Sequence, residues 1–137
     1  MLKPFILICL FLTSYSVSFT THAGSGIDAG KSHALFSEAM ADLLGRHGKK
    51  KSSEKAFKKF EQLAQKGWKT AQHMLGNMYY KGEGTTKNNV KAYLWYSLAA
   101  NQDYGIAEEK ISILKRQLKQ SEIDEAEIML TNWKSLN

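Results

Sequence analysis

One segment carries the clearest chemical pattern in the sequence. Lys55, Lys58, Lys59, Gln62 and Lys66 recur at steps of three and four residues, and Lys49, Lys50 and Lys51 precede them. Residues three and four apart are neighbours on a helix surface. The spacing therefore lays cations in one stripe, fit to meet an acidic protein or an anionic polymer. Solvation alone also accounts for such a stripe. Each exposed ion pair contributes only about 0–1 kcal/mol, so affinity would need apolar anchors beside the lysines.

The other reactive side chains form no constellation. His33, His47 and His73 lie far apart and make no His-x-x-x-His pair, so the reading carries no metal. Glu108 with Glu109, and Glu122 with Asp124 and Glu125, fall near expected helix starts. There the helix dipole favours negative charge, which accounts for them without acid–base chemistry. Gly82-Glu83-Gly84 lacks the lysine and flanking pattern of a phosphate loop. No Gly-x-Ser-x-Gly occurs, and no nucleic-acid-binding motif is present. The expectation is no catalytic residue, no cofactor and no nucleic acid.

The elements that must position these residues follow from an internal repeat. Setting Ala56 on Ala92, 36 positions on, also sets Lys55 on Lys91, Phe57 on Tyr93, Phe60 on Tyr96, Ala64 on Ala100 and Ala71 on Ala107. Small residues fall on small ones and rings on rings. A period in the thirties with helical patterning marks stacked helix–turn–helix units. Ala56, Phe60, Leu63, Ala64 and Gly67 make one apolar stripe, predicting a helix over residues 53–66. Ser52 or Ser53 can cap it, and Gly67 supplies the left-handed residue that ends it.

A second helix is predicted over 70–81, with Ala71, Met74, Leu75, Met78 and Tyr79 inward. Gly76 in its interior costs about 1 kcal/mol relative to alanine, which predicts close approach of a neighbouring helix. Gly82 and Gly84 then turn the chain. The second unit starts at Asn88 or Asn89, carries Ala92, Trp95, Tyr96, Ala99 and Ala100, and has Asp103 where the first has glycine. Helices over 106–119 and 121–134 follow. The last, with Asp124 three residues after Ser121 in a capping-box-like arrangement, is expected to cap the stack. An amphipathic stretch over 33–46 is expected to cover the other end, behind a flexible lead over 24–32. The rings of Tyr79, Tyr80, Trp95 and Tyr96 are expected in the core.

A composition of 43% hydrophobic and 23% charged residues is that of a folded chain. The single proline, Pro4, lies outside the predicted helices. Residues 1–23 have a basic start, an uncharged stretch over 4–19 and small residues at Thr21 and Ala23. That pattern reads as a cleaved secretory signal. Cleavage would remove Cys9, the one cysteine, so the remaining fold is expected to hold by packing alone. The formal charge of +6 can favour acidic partners or anionic surfaces.

These residues resemble a known family. Ala71-Gln72-His73-Met74-Leu75-Gly76-Asn77-Met78-Tyr79-Tyr80-Lys81-Gly82-Glu83-Gly84 is similar to the core motif of the Sel-one-like repeat, a relative of the tetratricopeptide repeat. Lys91-Ala92-Tyr93-Leu94-Trp95-Tyr96-Ser97-Leu98-Ala99-Ala100 resembles the same repeat's other helix. The resemblance implies an all-α fold: a short α-solenoid of tetratricopeptide-like helix-turn-helix repeats with N-terminal and C-terminal capping helices. Within a domain over 33–137, one repeat is expected at 53–88, a degenerate one at 89–120 and the cap helix at 121–134. The implied function is a non-catalytic adaptor or scaffold that binds a protein. With the signal reading, the expected place is periplasmic or secreted. The alternatives are an enzyme or enzyme inhibitor on the same scaffold, or a membrane-tethered subunit that keeps its N-terminus.

Overall fold

The helical periodicities are realised as six α-helices among the described residues, 25–48 and 50–136 of the computed structural model: α1 (Ser25–Leu44), α2 (Ser53–Gln65), α3 (Lys69–Lys81), α4 (Asn89–Ala100), α5 (Gly105–Lys115) and α6 (Gln120–Leu136). Among these residues there is no strand. The proposed signal over 1–23 lies outside them.

Local chemistry sets the helix ends. The Lys55 N–H donates to Ser52 Oγ (3.4 Å), and the Lys91 N–H to Asn88 Oδ1 (2.9 Å), so Ser52 and Asn88 are the caps. Gly67 follows α2 at φ 83°, and Asp103 holds the matching turn after α4 at φ 59°. Both sit in the left-handed region, where glycine is unstrained and aspartate is tolerated. At α6 the cap differs from expectation. The helix begins at Gln120, and Glu122 Oε2 accepts from the Lys119 N–H (2.8 Å), two residues before the Ser121–Asp124 pairing.

The first helix corrects a further expectation. Residues 25–32 are not a flexible lead but the opening turns of α1. Nucleation is the costly step in helix formation, and each added residue gains a hydrogen bond. Once the downstream half is held by packing, Gly26 and Gly30 do not stop growth toward the N-terminus.

Helices α1 to α4 stack in sequence, each on the one before, and both α5 and α6 pack on α4. The core contains Ala56, Phe60, Ala64, Ala71, Leu75, Tyr79, Ala92, Trp95, Tyr96 and Ala99, all buried. This is the interlock of rings and small side chains that the 36-residue offset predicts. Gly76 is its tightest point: a Cβ there would lie 2.7 Å from the Tyr96 ring. A Cβ on Gly84 would strike the Ser53 carbonyl, so the turn after α3 seats directly on the start of α2.

Residues 92–99 of α4 are buried without a break. Trp133 of α6 meets Trp95 edge-on (5.1 Å), and the Tyr93 hydroxyl donates to Glu127 (2.8 Å). Burial, together with that carboxylate, pushes the Tyr93 hydroxyl up to about 12.

Candidate functional site

The lysine stripe divides when its neighbours are placed. Lys55, Lys58, Gln62 and Lys66 are exposed along the outer face of α2. Lys59 is not part of that face. Its Nζ donates to Asp42 Oδ2 (2.7 Å) and Glu38 Oε2 (3.0 Å) on α1, and Asp42 is 4% exposed. Those hydrogen bonds, Asp42 first, raise the Lys59 ammonium above its usual range against the opposing effect of burial. Lys59 thus clamps α1 to α2, which corrects its assignment to a partner-binding surface. Of the rings weighed as a ligand cluster, Tyr79, Trp95 and Tyr96 are core, and Tyr80 is half-buried with Lys87 Nζ over its ring at 5.7 Å.

Concavity occurs elsewhere, at the end of the stack where the α2–α3 and α4–α5 turns lie beside α1. His33, Phe36, Gly67, Trp68, Lys69, Thr70 and Gln102 line an open groove of about 400 Å³. One of its walls is aromatic. The His33 ring meets Trp68 edge-on (4.7 Å), and Phe36 leans on both Trp68 (5.7 Å) and Phe60 (5.5 Å). Trp68 and Phe36 are only half-buried, so ring surface is left toward solvent.

The opposite wall is held by amides. Buried Gln72 donates from Nε2 to the Ala64 carbonyl (3.2 Å), and its Oε1 accepts from Gln102 Nε2 (2.8 Å). Lys69 Nζ donates to the Gln102 carbonyl (3.2 Å). Trp68 heads α3 without a side-chain cap, so the first amides of that helix and its positive dipole end lie at the groove.

Sequence reasoning did not single out Trp68, Phe36, Gln72 or Gln102 as site residues, and set His33 aside with the scattered histidines. The one available signal was Trp68, a large ring in the turn after Gly67 and outside every apolar stripe.

A second polar cluster lies between α3, α4 and α5. The Tyr96 hydroxyl donates to Asn77 Oδ1 (2.8 Å), and His73 packs between Tyr96 (5.6 Å) and Tyr104 (5.2 Å). His73 Nε2 is buried without a hydrogen-bond partner. Burial first, and Lys110 second, hold its imidazole below the usual histidine range. The adjoining cavity, between Tyr80, Tyr96, Lys110, Ile113 and Leu114, is about 70 Å³. That is far below the roughly 300–1,000 Å³ of small-molecule sites. Among the described residues no group of three or more His, Cys, Asp or Glu is placed to hold a metal, and no helix is long and apolar enough to cross a membrane.

Comparison with known proteins places this architecture. The Sel1 repeat model matches residues 37–68 and 69–104. That phase is one helix earlier than the repeats read at 53–88 and 89–120. It joins the C-terminal part of α1 to α2 and α3 to α4, so α1 supplies a repeat helix and is more than a cap.

Two solved structures are similar. One is a protective antigen present in uropathogenic Escherichia coli strains and displaying an SLR fold, with 28% identity over 78% of this chain and a TM-score of 0.72. The other is a Sel1 repeat protein from Oxalobacter formigenes, with 33% identity over 69% and a TM-score of 0.59. This chain spans 23% of the first protein's length and 38% of the second's. No curated protein matches the sequence. With both matched repeats folded as stacked helix pairs, the chain belongs to the Sel1 repeat family.

Proposed function

We propose that this protein is an exported, non-catalytic module that binds another protein through the groove beside Trp68. Sel1 repeats typically serve as protein-interaction modules, and this groove supplies what a docking surface needs. The observation that carries the reading is half-exposed aromatic surface in a concave, amide-braced wall. Large rings are over-represented among the residues that dominate binding energy, and they act best where a surrounding rim excludes water. Against catalysis, the shifted histidine adjoins a cavity of only about 70 Å³, and no carboxylate lines the groove beside Trp68. The export reading rests on the residue pattern of 1–23.

The test is affinity capture of the tagged protein from its own cells, run in parallel with Trp68→Ala after circular dichroism has checked the variant's fold. A specific protein that is retained by the native chain and lost from the variant is the expected result. Equal retention by both would refute the groove. N-terminal sequencing of the exported form should begin near Gly24, and retention of residues 1–23 would favour the tethered alternative.

A further inference from the structure

The chemistry around the groove specifies its occupant more narrowly. We propose that it receives an acidic segment of a partner protein, with one aromatic or leucine side chain anchored between His33, Phe36 and Trp68 and its carboxylates running along α2. This rests on the interaction reading above.

The anchor follows from shape. About 400 Å³, open on one side, admits a single bulky side chain with a stretch of backbone. The Trp68 ring offers it an apolar surface flanked by two further rings. The wall is preorganised, because Gln102 is fixed by both Gln72 and Lys69. Little ordering entropy then remains to be lost on binding.

The sign of the partner's charge follows from the rim. Lys69 lines the groove, and its ammonium meets a neutral carbonyl, so its charge is not cancelled there. Lys66 adjoins the lining residue Gly67 and is exposed. The uncapped start of α3 adds its dipole in the same sense. Among charged side chains near in sequence, Asp103 lies beyond Gln102 in the α4–α5 turn, and Glu38 is engaged by Lys59.

Lys66 also begins the exposed stripe that continues through Gln62, Lys58 and Lys55. At 1.5 Å per residue, Lys55 to Lys66 spans about 16 Å of helix. That is the reach of about five extended residues. Groove and stripe are thus one continuous surface, with an apolar anchor at one end and a cationic track leading from it.

Phage-displayed random peptides panned against the full-length protein test this. Recovered sequences should pair an aromatic or leucine with flanking Asp or Glu. A fluorescein-labelled recovered peptide should bind Lys66→Glu/Lys69→Glu about tenfold more weakly by anisotropy. Lys55→Glu/Lys58→Glu should lose less, and all variants should keep the native melting temperature. A neutral or basic consensus that still competes at Trp68 would overturn the acidic partner and leave the docking site standing. Failure to enrich any peptide would overturn both. Self-association by sedimentation, or binding only to anionic phosphatidylglycerol vesicles, would assign the surface to a second copy or to lipid and would equally sink the proposal.

Discussion

Lys59 and His73 show how little a residue's type says about its task before its neighbours are known. Lys59 sits in a row of lysines, yet its side chain is 23% exposed and bound to two carboxylates of α1. Removing one member of a buried pair typically costs about 3–5 kcal/mol. Because Lys59 reaches water, Lys59→Met should cost less, about 2–3 kcal/mol in urea unfolding. Adding Asp42→Asn should recover part of the loss, and a fully additive double mutant would show that the pair is not coupled.

His73 carries a prediction about pH. Its folded pKa lies below the unfolded value, so the unfolded chain takes up the proton first as pH falls through about 6.5. Stability should therefore decrease on acidification from pH 7 to pH 5, by at most about 1.4 kcal/mol per pH unit from this group. His73→Gln should flatten the melting temperature across that window, and an unchanged slope would assign the effect elsewhere.

At the scale of the element, the α3–α4 crossing is governed by Gly76. Two effects oppose each other in Gly76→Ala. Alanine gains up to about 1 kcal/mol of helix propensity. Its Cβ, however, would lie 2.7 Å from a Tyr96 ring that is 1% exposed and tied through its hydroxyl to Asn77. Overpacking of this kind costs about 1–3 kcal/mol, so packing should prevail and the variant should be destabilised in thermal unfolding. A raised melting temperature would mean that the two helices can separate freely.

For the whole molecule, stability depends on closing a short stack. α4 is buried along its full middle because α3, α5 and α6 all cover it. Ending the chain before Gln120 would uncover Trp95 and Tyr93, which meet Trp133 and Glu127 of α6. Large rings exposed together form the kind of apolar patch that drives association. The truncated protein should bind the dye ANS and aggregate, whereas a soluble, cooperatively melting product would show that α6 is dispensable. The groove lies by contrast at the end formed by α1 and the two turns, so Trp68→Ala should leave the α4 to α6 packing intact.

The fold was legible in the residues because its determinants are local or periodic. Apolar spacing placed the helices, Ser52 and Asn88 set two starts, and Gly67 and Asp103 set two ends. The offset of Ala56 from Ala92 announced the stacking of like on like. Even Gly76 declared a close contact, although it could not name Tyr96. The site was not legible to the same degree. Its walls come from three separate places, α1, the α2–α3 turn and the α4–α5 turn, and periodicity within one helix is silent about which distant side chains will meet. The same limit hid Asp42 and Glu38 from Lys59. Sequence spacing determined which face of α2 carries the lysines. Only tertiary packing decided which of them stay in water, because an ion pair across helices depends on the angle and register at which two finished elements settle.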